Sequence, residues 1–323
     1  MISVIMPAFN SDKYISEAIQ SILSQTYDNF EFIIINDGST DKTEAIILSF
    51  DDIRIRYYSN ESNKGLIFTL NRGLELSTRE FIARMDSDDI ACPQRLEQQL
   101  NFLQNNSTYG VCGSFIKLIN EKGLIGRTVA LPIEDEEIKA YMYFSSPLAH
   151  PTILSRATIL KENMYSFDYK AAEDYELWVR ISPKTKFYNL PQVLLQYRVH
   201  NESITTMSKS QADISFGEAL KAIISPKLVD KSLVNTYIDF VLKNDEVSIQ
   251  VYVAWLAKFI KEPMLEGNYV KKYFIKRWFG LCLAKTNYRY LLANSLSFTM
   301  PIQYYCMMFD NVIRHIYTKI GHV

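Results

Sequence analysis

The chain has 323 residues, of which 48% are hydrophobic and 22% charged, with a formal net charge of −1. That length suits one large domain or two ordinary ones with ample core. The apolar share and balanced charge exclude a disordered chain and a protein that coats nucleic acid.

The charge is unevenly placed. From Lys271 to Val323 eight Lys and Arg stand against the single Asp310, a net of +7, so the rest of the chain carries −8. An acidic body joined to a basic end predicts different partners for the two. The four cysteines, Cys92, Cys112, Cys282 and Cys306, are scattered among apolar neighbours, as expected for buried thiols in a reducing compartment. The start, Met1-Ile2-Ser3-Val4-Ile5-Met6-Pro7, has neither a basic leader nor a cleavage site, and no apolar run is long enough to span a bilayer. The expected location is cytoplasmic, with peripheral membrane contact as an option.

In chain order, Ser3 to Met6 reads as a short strand stopped by Pro7. Tyr14, Ile15, Ala18, Ile19, Ile22 and Leu23 then fall at helical spacing, with Asn10, Ser11 and Asp12 available as caps. Phe30 to Ile35 is too continuous for a half-exposed strand and predicts one buried on both faces. Asn36-Asp37-Gly38-Ser39-Thr40 breaks it, and Asp41 with Glu44 offers a capping box to a helix carrying Ala45, Ile46 and Leu48. Ile53 to Tyr58 is a third strand, Leu66, Leu70 and Leu74 mark a helix, and Phe81 to Met85 is a fourth strand. Pro93 suits the first turn of a helix carrying Leu96, Leu100 and Leu103. Val111 to about Leu131 has strand-like stretches broken by Gly. Beyond Met207 long helical segments rich in Tyr, Phe, Leu and Lys take over, which divides the chain into residues 1–206 and 207–323.

Strand–helix alternation with short connections predicts an α/β fold: a doubly wound, mostly parallel, Rossmann-like sheet covered on both faces, followed by a helical region. In such sheets ligands sit at the carboxyl ends of the strands. Those ends are Pro7-Ala8-Phe9-Asn10, Asn36-Asp37-Gly38 and Asp86-Ser87-Asp88-Asp89, so the polar punctuation gathers on one edge, the layout of a nucleotide site. Three carboxylates within four residues repel one another, and at the end of a buried strand a cation is their natural companion. Oxygen ligands favour Mg²⁺ or Mn²⁺. The competing reading of the cluster is a turn.

Together these segments resemble the inverting, nucleotide-sugar-dependent glycosyltransferases of family 2, which have the GT-A fold. The resemblance covers residues 2–205 and rests on an ordered series: Ser3 to Asn10, Ile35 to Asp41, Asn63-Lys64-Gly65-Leu66, Asp86 to Asp89, Glu173-Asp174-Tyr175-Glu176-Leu177-Trp178 and Tyr197-Arg198-Val199-His200. It implies that Pro7, Ala8 and Phe9 cradle the nucleobase. Phe9 is then either a stacking platform for uracil, worth roughly 1–3 kcal/mol, or an ordinary core residue. Asp37 would accept the uracil N–H, serve a turn, or do both. Lys64 would reach the nucleotide or its phosphates, or be a solvated surface charge. Asp88 is expected to hold the metal directly, and Asp86 to lie nearer the ribose or hold the ion through water. Ser87 lies between them, and Arg84 either pairs with the cluster or only offsets its charge.

The resemblance makes Asp174 the base that takes the acceptor's proton, with Glu173 orienting substrate or supporting the loop. Trp178, one helical turn on, would wall the pocket, stack on a sugar, or simply be buried. His200 is the candidate for reaching the metal or diphosphate, and His150 for lining the acceptor side. The implied reaction transfers a sugar from a UDP-sugar to a glycan acceptor hydroxyl. The basic, aromatic stretch 271–323 fits an interfacial membrane helix or, equally, a helical subdomain with solvated charges. Membrane contact would make the acceptor a sugar on a polyprenyl diphosphate, as in O-antigen or capsule assembly. Two rivals remain: a nucleotidyltransferase, which calls for a glycine-rich basic loop where Pro7-Ala8-Phe9-Asn10 stands, and a family member that binds sugar nucleotide without turnover.

Overall fold

The computed structural model describes residues 1–200, 209–242, 247–259 and 261–284. The chain divides into two compact units, Met1–Leu220 and Lys221–Val323. In the first, nine strands form one mixed, mostly parallel sheet. The strands are β1 (Ile2–Ala8), β2 (Phe30–Asn36), β3 (Ile55–Ser59), β4 (Phe81–Arg84), β5 (Ile90–Ala91), β6 (Tyr109–Asn120), β7 (Ile125–Val129), β8 (Leu154–Arg156) and β9 (Lys186–Val199). The helices between them are α1 (Ile15–Leu23), α2 (Thr43–Leu48), α3 (Leu66–Leu76), α4 (Arg95–Asn105), α5 (Asp135–Tyr141), α6 (Ala157–Asn163) and α7 (Glu173–Ile181). A 3₁₀ turn, His150–Thr152, precedes β8.

The sheet order is β3-β2-β1-β4-β8-β6-β9-β5, with β7 beside β6. The first four strands run parallel. The short β8 is antiparallel to both β4 and β6, and β6 then pairs with β9 in parallel. Both faces of β1 and β2 are buried, as the unbroken apolar runs predict. Val4, Met6, Phe32 and Ile34 join the core formed with α1 and α4. Their alternates Ile5, Ile33 and Ile35 face the other way, and α3 lies against Ile5 and Ile35. Each such side chain removed from water contributes roughly 1.5–3 kcal/mol, enough to fix which strand ends share an edge.

Several helix starts differ from expectation. The capping box does not close: Asp41 accepts from the Thr43 N–H at 2.9 Å, while Glu44 instead accepts from the Tyr57 hydroxyl at 2.7 Å. At α1 the cap is backbone: the Ser11 carbonyl accepts from the Tyr14 and Ile15 N–H groups. Pro93 lies before the Gln94 cap of α4, outside its first turn. Ile53 is fully exposed, because Asp52 turns the chain by accepting from the Arg54 N–H at 2.9 Å and β3 begins only at Ile55.

A helix α8 (Lys209–Ile224) follows. In the second unit α9 (Val234–Leu242), α10 (Ile249–Phe259) and α11 (Asn268–Ala284) pack around aromatic rings. Trp255 stacks on Phe259 at 4.5 Å and Phe259 on Phe274 at 5.0 Å. Phe274 and Trp278, both from the basic, aromatic stretch, are buried in this core, whereas Lys276 is exposed. The remainder of that stretch, 285–323, lies outside the described residues. Among the described residues no helix is long and apolar enough to cross a membrane.

Candidate functional site

The carboxyl ends of β1, β2 and β4 meet on one edge, because their parallel register sets Ala8 beside Asn36 and Ile5 beside Arg84. Pro7 and Ala8 are buried within β1, and Phe9, the next residue, is 44% exposed, so the core reading of that ring is excluded. The loops after β1 and β2 are laced together. Asn10 N–H donates to Ser39 Oγ at 3.0 Å, Ser11 N–H to Thr43 Oγ1 at 2.7 Å, and Asp12 N–H to Asp41 Oδ2 at 3.1 Å. Asp37 is buried and serves as a hub. Its Oδ1 accepts from Asn60 Nδ2 at 2.6 Å and from the Lys64 N–H at 2.9 Å, and its Oδ2 accepts from the Gly65 N–H at 2.9 Å. The Lys64 side chain is exposed.

β4 ends in the acidic cluster. One carboxylate oxygen from each of Asp86, Asp88 and Asp89 lies within 4.8 Å of the others. Arg84 is buried and forms an ion pair with Asp86, which resolves the alternatives for Arg84 in favour of pairing. Its Nε and Nη1 have no hydrogen-bond partner. Asp88 Oδ2 lies 2.9 Å from His200 Nε2. Asp89 is buried, with Oδ1 accepting from the Arg198 N–H at 2.7 Å and Oδ2 lacking any partner. Ser87 Oγ lies 2.7 Å from Ser11 Oγ, tying the cluster to the β1 loop. Burial pushes the Asp86 carboxyl up to about 6, against the pull of Arg84. Burial also drives Asp89 well above the usual carboxylate range, with the Asp88 and Asp86 charges adding to it.

Three gathered carboxylates and an imidazole nitrogen, one oxygen buried without a partner, suit a small divalent cation. A turn alone gives no reason for an orphaned carboxylate oxygen.

The second acidic pair opens α7. Ala171 has φ of 62°, a left-handed conformation unusual for alanine, and it turns the chain so that Glu173 and Asp174 begin the helix. Glu173 is buried, and its carboxyl is pushed up to about 7, chiefly by burial and next by Asp174. Asp174 is raised by burial too, while backbone hydrogen bonding at Tyr175 and the Arg84 charge pull it back. Arg84 therefore acts on both acidic groups, the Asp174 charge raises Asp86, and the Asp86 charge raises Glu173. His150 Nε2 lies 2.8 Å from the Tyr165 hydroxyl, and burial and Arg84 hold its pKa well below the ordinary value, keeping it neutral. Trp178 is fully buried against Phe187 and His150, so the buried reading holds and it offers no face to a sugar.

Asp86, Ser87, Asp88 and His200 thus come together, with Arg84 linking them to Glu173 and Asp174. Pro7, Ala8, Phe9, Asp37 and Lys64 lie at the ends of β1, β2 and the turn before α3. Beyond counting Asp89 among three crowded carboxylates that call for a cation, sequence reasoning gave it no role of its own. Nor did it find Asn60, Tyr165 or Arg198; only Arg198, within Tyr197-Arg198-Val199-His200, sat in a recognisable pattern. Arg95 was missed as well. It is fully buried behind β4 and donates to the Arg84 carbonyl at 2.6 Å, fixing the strand from which the cluster emerges.

The model of the family described as glycosyl transferase family 2 matches residues 3–162. The O-antigen biosynthesis glycosyltransferase WbnJ of Escherichia coli is 38% identical over 210 residues, 63% of this chain and 81% of that protein. UDP-Glc:alpha-D-GlcNAc-diphosphoundecaprenol beta-1,3-glucosyltransferase WfgD of Escherichia coli is 32% identical over 208 residues, 64% of this chain and 80% of that protein. The solved structure of S. aureus TarS 1–349 in complex with UDP-GlcNAc is similar in fold, with a TM-score of 0.60 at 21% identity, over 85% of this chain and 81% of that one.

Proposed function

This chain belongs to glycosyl transferase family 2, and from that premise we propose that it moves a sugar from a UDP-sugar to a hydroxyl of a lipid-linked glycan with inversion. The observation that carries the reading is the pairing of two acidic groups around the buried Arg84 guanidinium. The cluster at the end of β4 has an orphaned oxygen, and the pair at the start of α7 has raised proton affinity. Asp88, Asp86 and Asp89, with His200, would hold Mn²⁺ or Mg²⁺. When bound, that ion offsets negative charge on the departing diphosphate.

Asp174 is the base that takes the acceptor hydroxyl's proton. A carboxylate raised toward neutrality by burial is a stronger base than an exposed one and remains ionised often enough to act. Glu173 positions it and shares its charge. Phe9 stacks on the base, while Asp37 Oδ2, which accepts from the Gly65 N–H, has a lone pair left for the uracil N–H. Lys64 attends the nucleotide. UDP as the carrier is supported by WfgD, named for UDP-Glc, and by the TarS complex with UDP-GlcNAc. A polyprenyl-diphosphate acceptor in O-antigen assembly is supported by WbnJ and WfgD. We assign transfer to residues 1–206. Peripheral membrane contact belongs to the basic 207–323 region, where exposed Lys276 faces away from the aromatic core.

The test combines two measurements. Donor hydrolysis and binding across UDP-, GDP- and dTDP-sugars, with Mn²⁺ and with chelator, should show metal-dependent preference for one UDP-sugar. Asp174→Asn should keep UDP-sugar binding and lower kcat by about 10²–10⁴-fold. Indifference to every nucleotide sugar would leave a non-catalytic binding protein, and retained transfer in the variant would remove Asp174 as the base.

A further inference from the structure

Arg198 is the side chain in which the site's long-range connections converge. It lies near the carboxyl end of β9 and is only 3% exposed. Its Nε donates to the Asp88 carbonyl at 2.8 Å, and its own N–H donates to Asp89 Oδ1 at 2.7 Å. Nη1 donates to the Asn120 and Glu121 carbonyls at 3.3 and 3.4 Å, where β6 turns toward β7. Nη2 pairs with Glu17 Oε2 on α1 at 2.6 Å. The guanidinium also lies 4.5 Å from the centre of the Tyr14 ring, and that ring is 5.2 Å from the ring of His200.

We infer that Arg198 is the positioning residue of the acidic cluster. Its guanidinium fixes the Asp88 backbone directly and His200 through Tyr14, while its main-chain N–H holds the Asp89 carboxylate, so that their donor atoms converge on one divalent cation. The inference rests on reading the cluster as a cation seat. The forked guanidinium is what the task requires. It reaches three chain segments and a carboxylate at once, and a lysine ammonium at the same place cannot span them. Residues that hold metal ligands from behind typically contribute 10–100-fold to metal affinity. Glu17 and Tyr14 are in turn what orient the fork.

Binding of Mn²⁺ to the full chain with UDP, followed by the electron paramagnetic resonance of free Mn²⁺, tests this directly. Arg198→Lys should weaken Mn²⁺ about 10–100-fold, and kcat should return at saturating Mn²⁺. Tyr14→Leu and Glu17→Gln, which leave the buried guanidinium in place, should each weaken Mn²⁺ severalfold with little change in melting temperature. Wild-type Mn²⁺ affinity in a folded Arg198→Lys protein overturns the inference. If that variant does not fold, wild-type affinity in both Tyr14→Leu and Glu17→Gln overturns it instead. A wild-type chain that binds no Mn²⁺ overturns the cation seat as well, which separates the two failures.

Discussion

Replacing Glu31 by Gln tests whether a buried carboxylate far from the acidic cluster is held by its hydrogen bonds. Glu31 lies beside Ser3 in the first pairs of β2 and β1, at the edge opposite the site. Its Oε1 accepts from Ser3 Oγ at 2.6 Å, Thr78 N–H at 2.7 Å and Thr78 Oγ1 at 2.8 Å, and Oε2 pairs with Arg56. Burial alone would raise this carboxyl, but these donors outweigh it and bring its pKa from 4.5 down to about 2. At 1.36 kcal/mol per unit the ionised group contributes about 3 kcal/mol, and about 2–3 kcal/mol once screening of the half-exposed Arg56 is allowed for. The folded pKa is depressed, so this contribution is complete above pH 4.5 and is lost as pH falls toward 2. Urea unfolding of wild type and Glu31→Gln should therefore differ by about 2–3 kcal/mol at pH 7 and by about half that or less at pH 3. A difference that stays constant between those pH values would show that the donors do not favour the charged form.

Gly38 and Gly65 both have positive φ, of 69° and 91°, yet they should respond differently to alanine. A Cβ at Gly38 would lie 2.6 Å from the Ser62 carbonyl carbon, so Gly38→Ala should cost about 2–4 kcal/mol in urea unfolding. At Gly65 a Cβ meets nothing within 4 Å, so Gly65→Ala should cost only the strain of φ 91° with ψ 160°, a region essentially confined to glycine, about 1–3 kcal/mol, without the collision that Gly38→Ala adds. Equal costs would refute the collision. For transfer, the acid limb of the rate profile should lie above the ordinary carboxylate range, because burial raises both Glu173 and Asp174, and the Asp174 charge adds to the rise at Glu173. Glu173→Gln removes one charge of the pair and should move that limb to lower pH; an unmoved limb would place the titrating group elsewhere.

The sheet centre was legible because β1, β2 and β4 are continuous apolar runs ending in Asn, Asp and Gly, and composition alone carries that signal. β5 was not, since two residues define no period. Nor was β9: Pro191 interrupts it, near the register shift against β6, and its pairing is set by residues more than sixty positions away. The Asp41 capping box failed because Tyr57, on a neighbouring strand, competes for Glu44. In the site, Asp86, Asp88 and His200 were legible as chemistry-bearing residues in ordered motifs. Asp89 and Arg198 were not assigned, because their importance lies in burial and in contacts spanning up to 181 positions, such as Arg198 with Glu17. Local sequence does not encode such distances.

The hub at Asp37 bears on how this scaffold can diversify. One carboxylate braces Asn60 and the turn through Lys64 and Gly65, and in the proposed reaction it would also accept from the base. A lineage drifting toward another nucleobase has little freedom at position 37, where a new side chain would cost folding before it gained recognition. Phe9, exposed at the neighbouring carboxyl end of β1, carries no such double duty. Selection for altered donors in libraries of this chain should therefore return substitutions at Phe9 and around Lys64 while leaving Asp37 untouched.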